Sequence, residues 1–276
     1  MPKVSVIIPC YNQGHYLDKA VDSILNQTFQ DFEIIVINDG STDESTIEKL
    51  RHYDRPKTTV MHTSNQGLPN ARNNGIRNTD SDYLLPLDAD DYMGTTFLEK
   101  AVPILDSRND VGVVTCGMQC FGMSGKRHLP KGGGVKNFLS HNNACVASLF
   151  RRVCWKEAGG YNEDLRQGYQ DWNLWIDITK RDWLVHVIPE YLYFYRRKPG
   201  SMVTKSNLIR PDLVKQIVNI HRDLFEQHVD EVVYEKEKKI LELKQAQKIL
   251  QNSLQYKIGG WISAPYRAIR TLLQGT

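Results

Sequence analysis

The N-terminal part of the chain alternates between two hydrophobic patterns, and this alternation constrains the fold more than any other feature. Short apolar, β-branched segments predict strands, and segments with apolar residues three or four positions apart predict helices. The predicted strands cover residues 3–11, 32–39, 58–63 and 82–90. The helices predicted after them cover residues 15–27, 42–53, 68–78 and 95–107, with Ser41 or Thr42 as the cap of the second helix. This order is typical of βαβ units, so we predict an α/β, Rossmann-like fold with a mixed, mostly parallel sheet flanked by helices.

The regular alternation stops after a strand predicted at 111–122, and the chain becomes helical and charged from residue 206. Between these points we predict a basic, Gly-rich loop, a strand that runs into a helix, a second helix and two strands. These elements cover residues 126–137, 144–160, 171–181 and 183–197. We therefore divide the chain into a domain over 1–205, with halves 1–110 and 111–205, and a helical extension over 206–276.

The composition argues against several classes of protein. With 41% apolar and 24% charged residues the chain is predicted to be soluble and globular, and its net charge of +3 is too small to indicate nucleic-acid binding. Its five cysteines, an odd number without a CxxC pair, favour free thiols in a reducing compartment over disulfides or a zinc site. The sequence shows no signal peptide and no apolar run of ~18 residues, which predicts a cytoplasmic location.

Polar side chains follow three of the predicted strands at the points where those strands end. The first strand ends at 9–12, the second at 38–41 and the fourth at Asp88 and Asp90. Open α/β sheets bind their ligands outside the carboxyl ends of the strands. Because Asp88 and Asp90 are two positions apart, their carboxylates can point the same way, and such oxygens suit Mg²⁺ or Mn²⁺ with phosphates as further ligands. On these residues alone, a metal site and a plain capping cluster in which Asp91 caps the next turn both stay open.

Five motifs occur in an order that is typical of one enzyme family. They are VSVIIPCYNQGHYL, IIVINDGSTDEST, NQGLPNARNNGI, LPLDADD and GYQDWNLWI. Together they resemble the family 2 glycosyltransferases, over residues 3–200 of this chain. Members of that family are inverting enzymes with the GT-A fold that use nucleotide-sugar donors. The resemblance implies this fold and activity, of the type that builds bacterial cell-surface polysaccharides.

The resemblance implies that the first two polar turns frame the nucleobase of the donor. In that family the turn that begins at Pro9 lies against the base, and Tyr11 would stack on a uracil. Asp39 would accept a hydrogen bond from the ring N–H. The family usually has Asp where this chain has Asn38, which leaves the donor preference less defined.

The next family positions concern the sugar-phosphate part of the donor. Arg72 would face the nucleotide or its phosphates, although a surface position on its helix is the alternative. Asp88 would lie near the ribose, and Asp90 would ligate the Mn²⁺ or Mg²⁺ that bridges the diphosphate. A late family segment often carries a His near the diphosphate, and here that place falls to Lys198 or to the arginines at 196–197.

Asp171 matches the residue that acts as general base in the family. An inverting transfer needs a carboxylate that deprotonates the acceptor hydroxyl as this attacks the anomeric carbon. The alternative is that Asp171 only caps its helix. The chain has Gln170 where the family often has Glu, and it lacks the Gln-x-x-Arg-Trp signature of processive members, so one sugar per encounter is expected.

The C-terminal extension carries two further predictions. Residues 231–254 have apolar positions three to four apart, which predicts a solvated helix or a short coiled coil that could form a homodimer. Residues 256–274 combine basic, aromatic and aliphatic side chains, which is typical of a segment that lies at a membrane surface. Docking of this tail onto protein is the alternative. These features together predict a cytoplasmic enzyme that is peripheral on the inner face of the plasma membrane.

Other protein classes explain the sequence less well. A nucleotidyltransferase would have a Gly-rich, basic loop after the first strand, which PCYNQGHYL lacks. An Asp-x-Asp-x-Thr phosphatase would carry its acids on the first strand, and here they follow the fourth. A non-catalytic scaffold of a membrane-associated glycan assembly complex would need neither Asp90 nor Asp171, and both are present.

Overall fold

The computed structural model describes residues 1–253 and divides the chain into two units, Met1–Asp223 and Leu224–Thr276. The boundary between the units lies further along the chain than the expected boundary at 205, because two helices within residues 202–220 belong to the first unit. Leu213 and Ile217 in the second of these helices are buried. Ser206, in the helix before it, donates a hydrogen bond to the carbonyl of Gln167.

The first unit alternates strands and helices as the hydrophobic pattern predicts. Its strands are β1 Val4–Cys10, β2 Phe32–Asp39, β3 Thr58–Thr63, β4 Tyr83–Pro86, β5 Tyr92–Met93, β6 Val111–Gly122, β7 Arg127–His128, β8 Leu149–Arg151 and β9 Leu184–Arg197. Its helices are α1 Gly14–Leu25, α2 Glu44–Arg51, α3 Leu68–Arg77, α4 Phe97–Ser107, α5 Lys136–Leu139, α6 Arg152–Ala158, α7 Gln170–Thr179, α8 Met202–Leu208 and α9 Arg210–Ile220. Helix α10, Arg222–Gln227, then leads to α11, Val229–Asn252.

The strands form one mixed sheet in the order β3, β2, β1, β4, β8, β6, β9, β5, with β7 beside β6. The first four of these strands are parallel, because each returns through a helix. Strand β8 is antiparallel to both of its neighbours, and the long strands β6 and β9 are parallel to each other. The carboxyl ends of β1, β2 and β4 therefore share one edge of the sheet.

Helices cover both faces of the sheet, and the two-residue period of β1 decides which side chain meets which helix. Val6 and Ile8 belong to the same buried cluster as the apolar face of α1. Ile7, between them, points to the other face, where α3 packs very closely. A Cβ atom on Gly75 of α3 would lie 2.7 Å from side-chain carbons of both Ile7 and Ile37. Only a residue without a side chain allows this approach.

Three local expectations are wrong in detail. Helix α2 is capped by Asp43, whose carboxylate accepts a hydrogen bond from the N–H of Thr46 at 2.8 Å, and not by Ser41 or Thr42. Strand β4 ends at Pro86 and not at residue 90, because the chain forms a turn in which the Asp91 N–H donates to the Asp88 carbonyl at 3.0 Å. The two strands predicted over 183–197 form the single strand β9, which stays continuous through shifts in its register with β6.

The described part of the second unit consists mainly of the long helix α11. Many of its apolar side chains are exposed, in keeping with the amphipathic pattern of the sequence. They are Val229, Val233, Tyr234, Ile240, Leu241, Leu243, Ile249 and Leu250. Within residues 1–253, no helix is long and apolar enough to cross a membrane. The predicted membrane-surface segment at 256–274 lies outside the described residues.

Candidate active site

A cavity of about 670 Å³ lies in the first unit, at the sheet edge where β1, β2 and β4 end. Its lining includes the N-terminal end of α7 and the C-terminal end of β9. All seven predicted site residues line it, namely Pro9, Tyr11, Asp39, Arg72, Asp88, Asp90 and Asp171. The cavity therefore collects residues that are far apart in sequence on one concave surface.

The β1 and β2 end of the cavity is built from side chains that hold backbone turns. Asp39 is 3% exposed, and its two carboxylate oxygens accept hydrogen bonds from the N–H groups of Gln66 and Gly67, each at 2.9 Å. Oδ1 also accepts a hydrogen bond from the Thr63 hydroxyl at 3.4 Å, whereas Oδ2 keeps a further lone pair for a ligand. Asn38 accepts a bond from the N–H of Ser41 at 3.0 Å, so the amide at this family position supports the turn after β2. Tyr11 is 45% exposed and presents its ring to the cavity.

Arg72 lies in the cavity wall and not on the outer face of its helix, since its side chain is only 1% exposed. Its Nη2 donates a hydrogen bond to Asp88 Oδ1 at 2.6 Å, and its guanidinium lies 5.4 Å from the ring centre of Tyr161. Its Nε and Nη1 have no hydrogen-bond partner among residues 1–253. A buried donor without a partner costs ~1–3 kcal/mol, which a polar ligand in the cavity would recover.

The three acids after β4 have different environments. Asp88 pairs with Arg72, and Asp90 Oδ2 lies 2.7 Å from Lys198 Nζ. Asp91 is 1% exposed and accepts hydrogen bonds from the Tyr193 hydroxyl and from the N–H of Arg196. Burial, together with the charges of Asp88 and Asp90, raises the pKa of Asp91 well above its usual range. Asp91 thus joins the acidic turn to β9, and the expectation that it caps the next turn is wrong.

The acids provide a partial shell for a divalent cation. Among residues 1–253, no group of three or more His, Cys, Asp or Glu side chains is suited to hold a metal ion. Asp88 and Asp90 are two carboxylates on the cavity wall. Mg²⁺ is commonly held by one or two carboxylates together with substrate phosphates, so the residues present fit an ion whose remaining ligands come from a diphosphate and water.

Asp171 is the second residue of α7 and lies at the other side of the cavity. Its Oδ2 accepts a hydrogen bond from Asn142 Nδ2 at 2.8 Å. Burial raises the pKa of Asp171, while the positive charge of Arg72 and the hydrogen bond from Asn142 act in the opposite direction. The cap position of α7 is Tyr169, and no side-chain capping bond is formed there. Backbone N–H groups of Trp172 and Asp171, in the first turn of α7, also lower the pKa of this carboxyl group. The carboxylate is therefore held both by Asn142 and by the start of its own helix.

Several cavity residues were missed by the sequence reasoning. Asn142 lies in a loop without hydrophobic periodicity, so no local signal marks it. Arg210 Nη1 donates to the Tyr169 hydroxyl at 2.6 Å, which brings a basic residue of the predicted extension to the cavity rim. The predicted free thiols are confirmed, because all five cysteines are unpaired and buried.

Comparisons with known proteins identify similar chains. The sequence profile described as Glycosyl transferase family 2 matches residues 5–172. A protein of Haemophilus influenzae, described as an uncharacterized glycosyltransferase, is 31% identical over 235 residues, which are 78% of this chain and 72% of that protein. The uncharacterized glycosyltransferase EpsJ of Bacillus subtilis is 28% identical over 73% of this chain and 63% of its own length.

Two solved structures are similar at lower sequence identity. The crystal structure of S. aureus TarS 1–349 in complex with UDP-GlcNAc has a TM-score of 0.61 and 21% identity, and the match covers 73% of this chain and 60% of TarS 1–349. The mannosyltransferase PcManGT from Pyrobaculum calidifontis, in complex with GDP-Man and Mn²⁺, has a TM-score of 0.59 and 19% identity. That match covers 98% of this chain and 83% of PcManGT. At these identities the likeness concerns the fold.

Proposed function

Because the chain belongs to glycosyltransferase family 2 and is a glycosyltransferase with the GT-A fold, as its motifs predicted, we propose that it is a metal-dependent, inverting and non-processive enzyme. It moves one sugar from a nucleotide-sugar to an acceptor hydroxyl. The observation that carries this proposal is the single cavity that brings Asp39, Arg72 and Asp90 together with Asp171. A direct displacement requires a donor site and a base that face the same cavity.

The donor is proposed to be a UDP-sugar. Tyr11 offers an exposed ring for stacking, and Asp39 Oδ2 retains a lone pair for the N–H of a uracil. Of the two similar structures, TarS is in complex with UDP-GlcNAc and PcManGT with GDP-Man, which supports a nucleotide-sugar and leaves the base to experiment. The unpartnered Nε and Nη1 of Arg72 supply donors for the nucleotide or its phosphates.

Asp90 is proposed to hold Mn²⁺ or Mg²⁺ jointly with the donor diphosphate, and Asp88 is proposed to lie near the ribose. When bound, such an ion stabilises the negative charge that develops on the leaving diphosphate. The similar structure of PcManGT contains Mn²⁺, which supports this choice of cofactor. Arg72 Nη2 pairs with Asp88 Oδ1 at 2.6 Å.

Asp171 is proposed to be the general base. Its carboxylate takes the proton of the acceptor hydroxyl as the acceptor oxygen bonds to the anomeric carbon. The bond from that carbon to the diphosphate oxygen breaks on the opposite face, so the configuration inverts and the nucleoside diphosphate leaves. Asn142 holds the carboxylate in place through a hydrogen bond to Oδ2.

A panel of nucleotide-sugars tests the proposal directly. The purified protein is mixed with each donor and Mn²⁺, and the release of nucleoside diphosphate is measured with and without EDTA. Titration calorimetry of UDP in Mn²⁺ then compares the wild type with Asp90→Ala, which should lose most activity and bind UDP more weakly. Unchanged metal-dependent UDP binding in this variant would remove Asp90 from the proposed metal site.

The acceptor is proposed to be a glycan or a lipid-linked glycan in surface polysaccharide or glycolipid synthesis, at the cytoplasmic face of the membrane. The basic and apolar sequence at 256–274 supports contact with an anionic membrane, and the exposed apolar positions of α11 support a homodimer through 231–254. Wild-type protein should sediment with anionic liposomes in low salt, and added salt should weaken this binding. A full-length variant with Lys257, Arg267 and Arg270 replaced by Glu that still sediments equally well would contradict the membrane assignment.

A further inference from the structure

The three consecutive basic residues at the end of β9 have different positions in the cavity. The side chain of Arg196 makes two contacts. Its Nε donates to the carbonyl of Asp90 at 3.0 Å, and its guanidinium lies 4.2 Å from the ring centre of Tyr16. Its backbone N–H is bonded to Asp91. Arg197 lies 6.0 Å from the ring centre of Tyr195 and has no carboxylate partner among residues 1–253. Of these three residues, only Lys198 forms an ion pair with an acid of the acidic turn, namely Asp90.

The pair between Lys198 and Asp90 occupies the carboxylate that is proposed to hold the metal ion. The two atoms are 2.7 Å apart, and the side chains are 25% and 14% exposed, so the pair is only partly screened by water. Asp88 is neutralised by Arg72 in the same way. The acidic turn is thus balanced by protein cations before any donor binds, and Lys198 must release Asp90 for a divalent cation to reach it.

The cost of that release depends on what Lys198 meets next. If a metal ion enters alone, the ammonium loses its carboxylate and lies close to a second positive charge, which is unfavourable. If the ion enters with a nucleoside diphosphate, the phosphate oxygens give the ammonium a new anionic partner. Lysine suits this exchange, because its charge is compact and its four-carbon stem is flexible.

We propose that Lys198 is an exchange cation, which holds Asp90 in the free enzyme and turns to the donor diphosphate when metal and nucleotide bind. This inference rests on the proposed function and adds a coupling to it: metal and nucleotide bind the enzyme better together than separately. By linkage, the factor by which UDP tightens Mn²⁺ binding equals the factor by which Mn²⁺ tightens UDP binding. Lys198 lies in the segment where the family often carries a His near the diphosphate, which fits the second half of this exchange.

The test measures Mn²⁺ binding by electron paramagnetic resonance, in which free Mn²⁺ is counted directly, so activity is not needed. Full-length wild type, Lys198→Met and Lys198→Gln are compared with and without saturating UDP, and with GDP in parallel. Lys205→Met is the matched control, because it removes one positive charge from an exposed lysine of α8 that does not line the cavity. Melting temperatures of all variants verify that each is folded.

For the wild type we expect UDP to tighten Mn²⁺ binding by ~5–150-fold, the usual range of coupling between sites. Both Lys198 variants should bind Mn²⁺ more tightly than the wild type without nucleotide, and their coupling factor should fall several-fold. Lys205→Met should keep the wild-type pattern. Folded Lys198 variants with unchanged Mn²⁺ affinity, or with unchanged coupling, would overturn the exchange.

Two outcomes separate this inference from the proposed function itself. If the wild type binds neither nucleoside diphosphate at any Mn²⁺ concentration, the proposed donor site is wrong and the exchange falls with it. If the wild type binds UDP or GDP and releases it from a nucleotide-sugar, but metal and nucleotide bind independently, only the exchange is wrong.

Discussion

Replacing Asn142 by Ala should change the pH dependence of the reaction more than its maximal rate. Asn142 donates its Nδ2–H to Asp171 Oδ2 at 2.8 Å, and this bond favours the ionised carboxylate. Burial already raises the pKa of Asp171, while Arg72 lowers it in opposition. Loss of the Asn142 bond removes one of the contacts that counter the burial. The pKa of Asp171 in the variant should therefore be higher than in the wild type.

The size of the shift follows from the strength of the bond. A hydrogen bond to a charged group contributes about 1.5–3 kcal/mol, and one pKa unit corresponds to about 1.4 kcal/mol, so the shift should be about one to two units. A general base works as the carboxylate, which is lost as the pH falls through its pKa. The acid limb of the rate profile should therefore move to higher pH. The variant should be about 10–100-fold slower at low pH and should recover as the pH rises.

The assay is kcat/KM for release of nucleoside diphosphate in the presence of acceptor, measured between pH 4.5 and 9 in buffers of constant ionic strength. Asn142→Asp should move the limb at least as far, because a second carboxylate replaces the donor. Asn143→Ala is the control for loop distortion, since Asn143 donates to the carbonyl of Asn137 and not to Asp171. The same fractional loss of Asn142→Ala at every pH would refute the reasoning and would indicate that Asn142 contacts the acceptor.

Three further substitutions test the site and the fold. Asp171→Asn should lower transfer by ~10²–10⁴-fold with donor affinity and melting temperature nearly unchanged, and transfer within a few-fold of wild type would show that Asp171 is not the base. Gly75→Ala should destabilise the protein by ~1–3 kcal/mol in chemical denaturation, because its Cβ would lie 2.7 Å from Ile7 and Ile37. Burial lowers the pKa of His221 to about 4, although the charge of Asp177 acts in the opposite direction. As the pH falls, His221 therefore binds a proton in the unfolded chain before it does so in the folded protein. Stability should be full above pH ~6.5 and should fall by up to ~3 kcal/mol towards pH ~4, and His221→Gln should flatten that part of the denaturation profile.

The N-terminal half of the fold could be predicted closely because its elements are defined by local patterns. Strands β2 and β3 have the predicted bounds, and α3 differs by one residue, since hydrophobic period and flanking polar residues mark them. The motifs also predicted seven site residues, and all seven line one cavity. The rule that parallel strands end together placed the residues after β1, β2 and β4 at that edge, and the family resemblance added Arg72 and Asp171.

The missing parts depend on contacts between distant segments. The sequence does not show that Asn142 reaches Asp171 or that Lys198 reaches Asp90, because each pair forms only after several elements have packed. The continuity of β9 was missed for a similar reason. Its middle looks like a break, with Pro189 and Glu190, yet pairing with β6 holds the strand through that point. Long-range pairing here decides what local propensity leaves open.

The bonds from Asp91 to β9 have a consequence for the order in which the protein is made. Asp91 accepts a hydrogen bond from Arg196, which follows it by 105 positions. This bond in the acidic turn can form only after that length of chain has been synthesised. At ribosomal rates of about 5–20 residues per second, this delay is roughly 5–20 s. During that interval the parallel strands can already pair, but the carboxyl group of Asp91 has neither the Tyr193 hydroxyl nor the Arg196 N–H as a partner. A nascent chain that ends before β9 should therefore hold most of the sheet and yet bind no nucleotide, and the donor site should close only as the last strand leaves the ribosome.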